Sequence, residues 1–146
     1  MLGIGYQAAR KKRFSEGFNS INLEAAGYEE FILYFGRAHI EDFETGNVAR
    51  GLLKIGRGKF KTAIMRGRNQ PGVDFRIYAE IIVRNNDETH VIEKIAHKLY
   101  RDKLVKGSQG QRELFDIKDN EIVNIVNKIA NVAKIQNVSI LSVNFY

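Results

Sequence analysis

The chain of 146 residues contains no cysteine. That excludes disulfide frameworks, thiolate zinc sites and cysteine nucleophiles, and it suits a reducing compartment. Any metal chemistry must therefore use oxygen or imidazole ligands. No apolar run approaches the ~18 residues that a membrane-spanning helix requires. The first residues do not read as a signal peptide either. Gly3 and Gly5 interrupt Leu2, Ile4 and Tyr6, and the basic run Arg10 to Arg13 follows these apolar residues instead of preceding them. The expectation is a cytoplasmic protein with no membrane partner, in the cytoplasm of a host cell if the chain is viral. Proline occurs once, as Pro71 in Asn69-Gln70-Pro71-Gly72, where it pre-sets one turn dihedral and the glycine accepts a positive one.

What is abundant is positive charge. The formal net charge is +6 and the pI about 9.6, which favours a polyanionic partner, because cations that neutralise phosphates release condensed counterions. The length and a hydrophobic content of 44% suit one domain with one core. Glu29 to Ile40 holds the compact run Phe31 to Phe35 and reads as a buried strand. Glu41 to Gly51 is a polar loop or hairpin turn containing Gly46-Asn47. Leu52, Leu53 and Ile55 form a second short strand, ended by Gly56 and Gly58. Lys59 to Arg68 reads as a short basic helix. Phe75 to Val83 is a third strand, alternating Phe75, Ile77, Ala79 and Ile81 against Arg76, Tyr78, Glu80 and Ile82.

Asn85-Asn86-Asp87 caps a helix over Glu88 to Arg101 with Val91, Ile92, Ile95, Ala96 and Leu99 toward the core. Glu93, His97 and Tyr100 share one stripe at the border of that apolar face. Lys106 to Gln111 is a loop, Glu113 to Ile117 a strand-like run. Asp119 caps a further helix, from about Asn120 to Lys134, and Val138 to Phe145 closes the chain as a strand. The pattern predicts a small α/β domain: a mixed or antiparallel sheet of three or more strands flanked by helices. Residues 1–28 read as a basic arm or edge element, 29–118 as the core and 119–146 as an extension of the same domain.

Three segments in order carry a resemblance: Lys54-Ile55-Gly56, then Glu93 with His97, then Gly110-Gln111-Arg112-Glu113-Leu114-Phe115. Over about residues 30 to 118 the chain resembles the GIY-YIG nuclease superfamily, most closely its T5orf172-like phage branch. The resemblance implies a metal-dependent endonuclease, phage or mobile-element encoded, that hydrolyses DNA phosphodiester bonds at a single Mg2+ or Mn2+. It makes Tyr34 the first-strand tyrosine that orients or deprotonates water, with Lys54 as the cation beside it. Arg66 becomes the helix arginine that grips phosphate, with Arg68 its rival, and Glu93 the metal ligand. His97 would contact phosphate or orient Glu93, and Glu113 would help close the site. Arg57, Lys59, Lys61 and Arg68 would contact the nucleic acid, DNA first and RNA second. Ile32-Leu33-Tyr34 stands where Gly-Ile-Tyr is usual, and the long interval from Tyr34 to Lys54 implies a hairpin extension. The asparagine often found late in the family's core has no clear counterpart.

Each residue also has a plainer reading. Tyr34 suits a core aromatic, Arg66 a solvated basic face, His97 a structural histidine, and Glu93 an exposed carboxylate paired with His97 or Lys94 at helical spacing. Asp74 and Glu80 offer carboxylates to a restriction-type nuclease, but Glu80-Ile81-Ile82 lacks the lysine that such a site needs. Gly56-Arg57-Gly58 lacks the pattern of a nucleotide-binding loop. The competing function is an inactive nuclease-like module that binds nucleic acid or serves a larger assembly. The terminal segments would then mediate homo-oligomer or assembly contacts, because an exposed strand edge pairs readily with another chain.

Overall fold

The computed structural model describes residues 31–59, 73–105 and 114–146. The readings of residues 1–28 as a basic arm and of Asn69 to Gly72 as a turn lie outside these, as do Gly110 to Glu113; of the helix read over Lys59 to Arg68 only Lys59 is described, and it ends a strand instead. The first strand, β1 (Phe31–Glu41), is followed by β2 (Val48–Arg50), β3 (Leu53–Lys59), β4 (Val73–Val83), helix α1 (Asn86–Leu99), β5 (Leu114–Phe115), helix α2 (Ile122–Ile135) and β6 (Ile140–Phe145). The strands form one antiparallel sheet in the order β5-β3-β1-β4-β6, and β2 pairs with the far end of β1. The expected α/β class is borne out, and every described pairing is antiparallel. The implied hairpin extension is also present: β1 runs past the end of β3, turns at Gly46 (φ 71°) and returns as β2.

β1 is apolar on both faces because it is central. Leu33 and Phe35 join Leu53, Ile55, Ala79 and Ile81 under Ile92, Ile95 and Ala96 of α1 and Ile125, Val126 and Ile129 of α2. Ile32 and Tyr34 point the other way, into a smaller cluster with Ile77 and Ile82. Burial of each such aliphatic side chain contributes roughly 1.5–3 kcal/mol, so the helix-covered face dominates stability. Asn85 starts α1 by accepting the Glu88 amide at 2.9 Å. Asn137, at φ 64°, ends α2 in a Schellman turn, with the Val138 amide donating to the Ala133 carbonyl at 2.9 Å.

Four expectations need correction. β3 continues through Gly56 and Gly58, because both pair with β1, opposite Tyr34 and Ile32. β4 does not alternate strictly: a bulge opposite Phe35 and Gly36 shifts its register. Ile77 therefore joins Ile82 on one face while Ala79 and Ile81 face the helices. Val91 is 41% exposed, and Thr89 takes a core position instead. Asp119 is not a helix cap. It begins a short 3-10 turn, and α2 has no side-chain cap bond.

The Asp119 carboxylate is taken by arginines. Arg37, only 6% exposed, donates from Nε to Asp119 at 2.7 Å, from Nη1 to the Gly51 carbonyl at 3.1 Å and from Nη2 to the Ile117 carbonyl. Arg50 pairs with the second Asp119 oxygen. Arg37 thus ties the segment leading into α2 to the central strand. Beside it, His39 Nε2 lies 2.6 Å from the Tyr78 hydroxyl. Burial, then the Asp119 charge, raises the Tyr78 pKa, so the phenol keeps its proton, and the His39 tautomer sets which of the two groups donates.

Arg37→Ala strands two carbonyls and a carboxylate, and urea denaturation is expected to show a loss of about 2–4 kcal/mol. Burial, then Arg76 and Arg50, lowers the His39 pKa below its ordinary 6.5. The unfolded chain therefore takes up the proton first as pH falls. The His39 contribution is fully present above about pH 6.5 and declines below it toward the lowered folded value. Denaturation midpoints measured across that range should show this decline, and His39→Gln should remove its share.

Candidate active site

Lys54-Ile55-Gly56 divides between the two faces of the sheet by strand pleat. Ile55 is fully buried against the helices. Lys54 and Gly56 pair with Gly36 and Tyr34 and share the opposite face with the Tyr34 ring. A Cβ on Gly56 would lie 2.6 Å from the Tyr34 hydroxyl and 2.8 Å from ring carbon Cζ. The glycine of the motif is thus the floor on which the tyrosine lies. The Lys54 ammonium stands 6.0 Å from the Tyr34 ring centroid, at the outer limit of a cation–π contact. Phe75 meets the same ring edge-on at 6.1 Å.

On its other side Tyr34 pairs with Glu80 of β4, which in turn pairs with Asn144 of β6. Glu80 is completely buried. One of its oxygens accepts from the Tyr146 hydroxyl at 2.6 Å and from the Asn144 amide at 3.1 Å. The row Gly56, Tyr34, Glu80 and Asn144 thus crosses four strands on one face. Sequence reasoning found Glu80 only as a carboxylate for a restriction-type site and missed Asn144 and Tyr146. The missing information was the pairing of β4 with β6, which joins residues far apart in the chain.

The second group lies on the helix-covered face. Arg57 follows Ile55 on that side of β3, and its Nε is 3.8 Å from Glu93 Oε1. The Arg57 Nη1 lies 3.5 Å from the Asn86 side-chain oxygen. Glu93 Oε2 is shielded from solvent and has no hydrogen-bond partner among the described residues. His97, one turn further along α1, donates from Nε2 to the Ile55 carbonyl at 3.0 Å, since a carbonyl can only accept. Its ring packs on Phe115 at 5.2 Å between centroids. His97 therefore fastens α1 to the central residue of Lys54-Ile55-Gly56.

The expected stripe of Glu93, His97 and Tyr100 is present as three partly buried residues. Glu93 pairs with Arg57 and not with Lys94 or His97 among the described residues. Two sets result, Lys54 with Tyr34 on one face and Glu93, Arg57 and His97 on the other. β3 separates them. Of β3, β5 pairs only Leu53 and Lys54, so among the described residues the β3 edge beyond Lys54 has no strand alongside it, and both sets flank that edge. Lys61, Arg66 and Arg68, and the side chain of Lys59, lie outside the described residues.

The residues fit one ion better than a cage. Among the described residues no three of His, Asp or Glu gather as a metal-holding group. The unbonded Glu93 oxygen is the kind of hard donor that Mg2+ or Mn2+ accepts, and Mg2+ commonly binds through one or two carboxylates with water and phosphate completing its shell.

The family model of the T5orf172 domain matches residues 33–130, and the chain belongs to this family. Membership is consistent with a nuclease of the GIY-YIG type, and the sheet with its two helices has the form of a small domain of that kind. No curated protein and no solved structure matches the chain. The match runs from β1 into α2, so Asn144 and Tyr146 lie beyond it. No described helix is long and apolar enough to cross a membrane.

Gly56→Ala is expected to destabilise the protein by about 1–3 kcal/mol, the usual cost of overpacking. Tyr34→Phe in the same chain should restore only part of that loss, because Cζ still obstructs the added methyl. A double-mutant cycle in urea measures the coupling.

Proposed function

We propose that the chain is a metal-dependent endonuclease that cuts DNA, using one Mg2+ or Mn2+ held by Glu93. The observation that carries this reading is the shielded, unbonded Glu93 oxygen beside a cationic side chain, on a helix fastened by His97 to Lys54-Ile55-Gly56. The bound ion would supply charge stabilisation to the scissile phosphate and its leaving oxygen. Lys54 would neutralise a non-bridging phosphate oxygen from the other side of the β3 edge, and the Tyr34 hydroxyl would orient the attacking water. His97 acts here through position: it sets the height of Glu93 over the strand. Arg57 would add a second positive charge toward the backbone, and Arg66 or Arg68 would supply the phosphate-gripping guanidinium that the family reading assigns. A phage or mobile-element origin and a cytoplasmic setting belong to the same reading.

One observation favours a second reading. Tyr34 is 1% exposed and faces away from Glu93, which suits an inactive module that binds nucleic acid through charge alone.

Plasmid nicking with magnesium or manganese separates the two. Loss of even an outer partner of a metal ligand costs ~10–100-fold, so Glu93→Gln, which removes the ligand itself, is expected to reduce metal-dependent nicking by more than about 100-fold while duplex binding persists. Absence of nicking with every metal, together with salt-dependent binding shared by both proteins and insensitive to chelator, would select the inactive module.

A further inference from the structure

We infer that Arg57 is the resident counter-ion of Glu93, occupying the carboxylate until a divalent cation displaces it. The inference rests on the metal reading above. Arginine and a carboxylate that are free to settle form two parallel hydrogen bonds at about 2.7–2.9 Å. Here a single Nε approaches Oε1 at 3.8 Å, which is an ion pair without a hydrogen bond. Among the described residues Oε2 is left with no partner although it is shielded from water. The pair therefore offsets the charge of Glu93 while leaving one oxygen bare for another ligand.

Arg57 is also placed to leave. Its side chain is 32% exposed against 20% for Glu93, so the guanidinium has solvent on one side while the carboxylate is held between helix and strand. Its other described contact, to the Asn86 oxygen, is at the 3.5 Å limit of a hydrogen bond. A dication on the bare oxygen would repel the guanidinium at this range, and β3 anchors its backbone at the edge that no described strand covers. Displacement would turn the charge outward along that edge, where a nucleic-acid backbone would run. Arg57 thus competes with the metal in the free protein and binds phosphate in the loaded one.

The test is Mn2+ binding to the full chain without nucleic acid, followed by electron paramagnetic resonance, for wild type, Arg57→Gln, Arg57→Lys and Glu93→Gln. Removing the competing charge in Arg57→Gln should tighten Mn2+ binding by roughly fivefold, the upper end of what a partly exposed ion pair is worth. Arg57→Lys, which keeps the charge, should stay near wild type. Duplex affinity of Arg57→Gln measured against salt should lose about one unit of slope. If wild type binds Mn2+ through Glu93 but Arg57→Gln binds equally or more weakly, the counter-ion role is wrong and the metal site stands. If Mn2+ binds neither wild type nor Arg57→Gln, the metal reading fails and takes the inference with it.

Discussion

The register that sets Tyr34 of β1 between Gly56 of β3 and Glu80 of β4 is the constraint on which the rest of the structure depends. Side chains alternate along a strand, so this one alignment sends Leu33, Phe35 and Ile55 to the helices and Tyr34, Lys54 and Glu80 to the other face. A slip by one residue would exchange every one of them. Gly56 pins the register sterically, because no other residue leaves room for the tyrosine ring. The bulge in β4 then adjusts the far half of the sheet so that Gly36 admits the Phe75 ring, to which an added Cβ would stand at 2.7 Å.

The helices are fastened to this frame by polar contacts at two separate places. His97 bonds α1 to the carbonyl of Ile55, and Arg37 bonds the approach to α2 to β1. Each contact satisfies a backbone carbonyl that burial would otherwise leave unpaired. Their consequences for function differ. The Arg37 contact secures the fold at a distance from the β3 edge. The His97 contact sets above Arg57 the Glu93 carboxylate, on which the proposed reaction would depend.

The division of the polar residues by β3 bears on how such a small domain works. Lys54 on one face of β3 and Arg57 on the other place charge on both sides of its edge. The division also means that the motif is a structural unit as much as a chemical one: Ile55 seals the core, Gly56 seats the tyrosine, and Lys54 presents charge. Only one of its three residues carries a charge.

Much of this was legible in the sequence. The apolar run Phe31 to Phe35, the asparagine cap at Asn85, the stripe of Glu93 and His97, and the helical spacing of Ile122, Ile125, Val126 and Ile129 all fixed their elements locally, through propensity and periodicity. Lys54-Ile55-Gly56 identified the strand that matters. The sequence could not show that Gly56 continues that strand, because its reason is a ring on another strand. Nor could it show the bulge that reverses Ile77, since period-two reading assumes an unbroken ladder. Asp119 precedes a helix and looks like its cap, but two arginines from a distant hairpin claim its carboxylate. The pairing of Glu93 with Arg57 and the row from Tyr34 through Glu80 to Asn144 likewise exist only once strands are aligned. Local order was written in spacing along the chain, whereas the partners of its charges were decided by register, which tertiary packing alone sets.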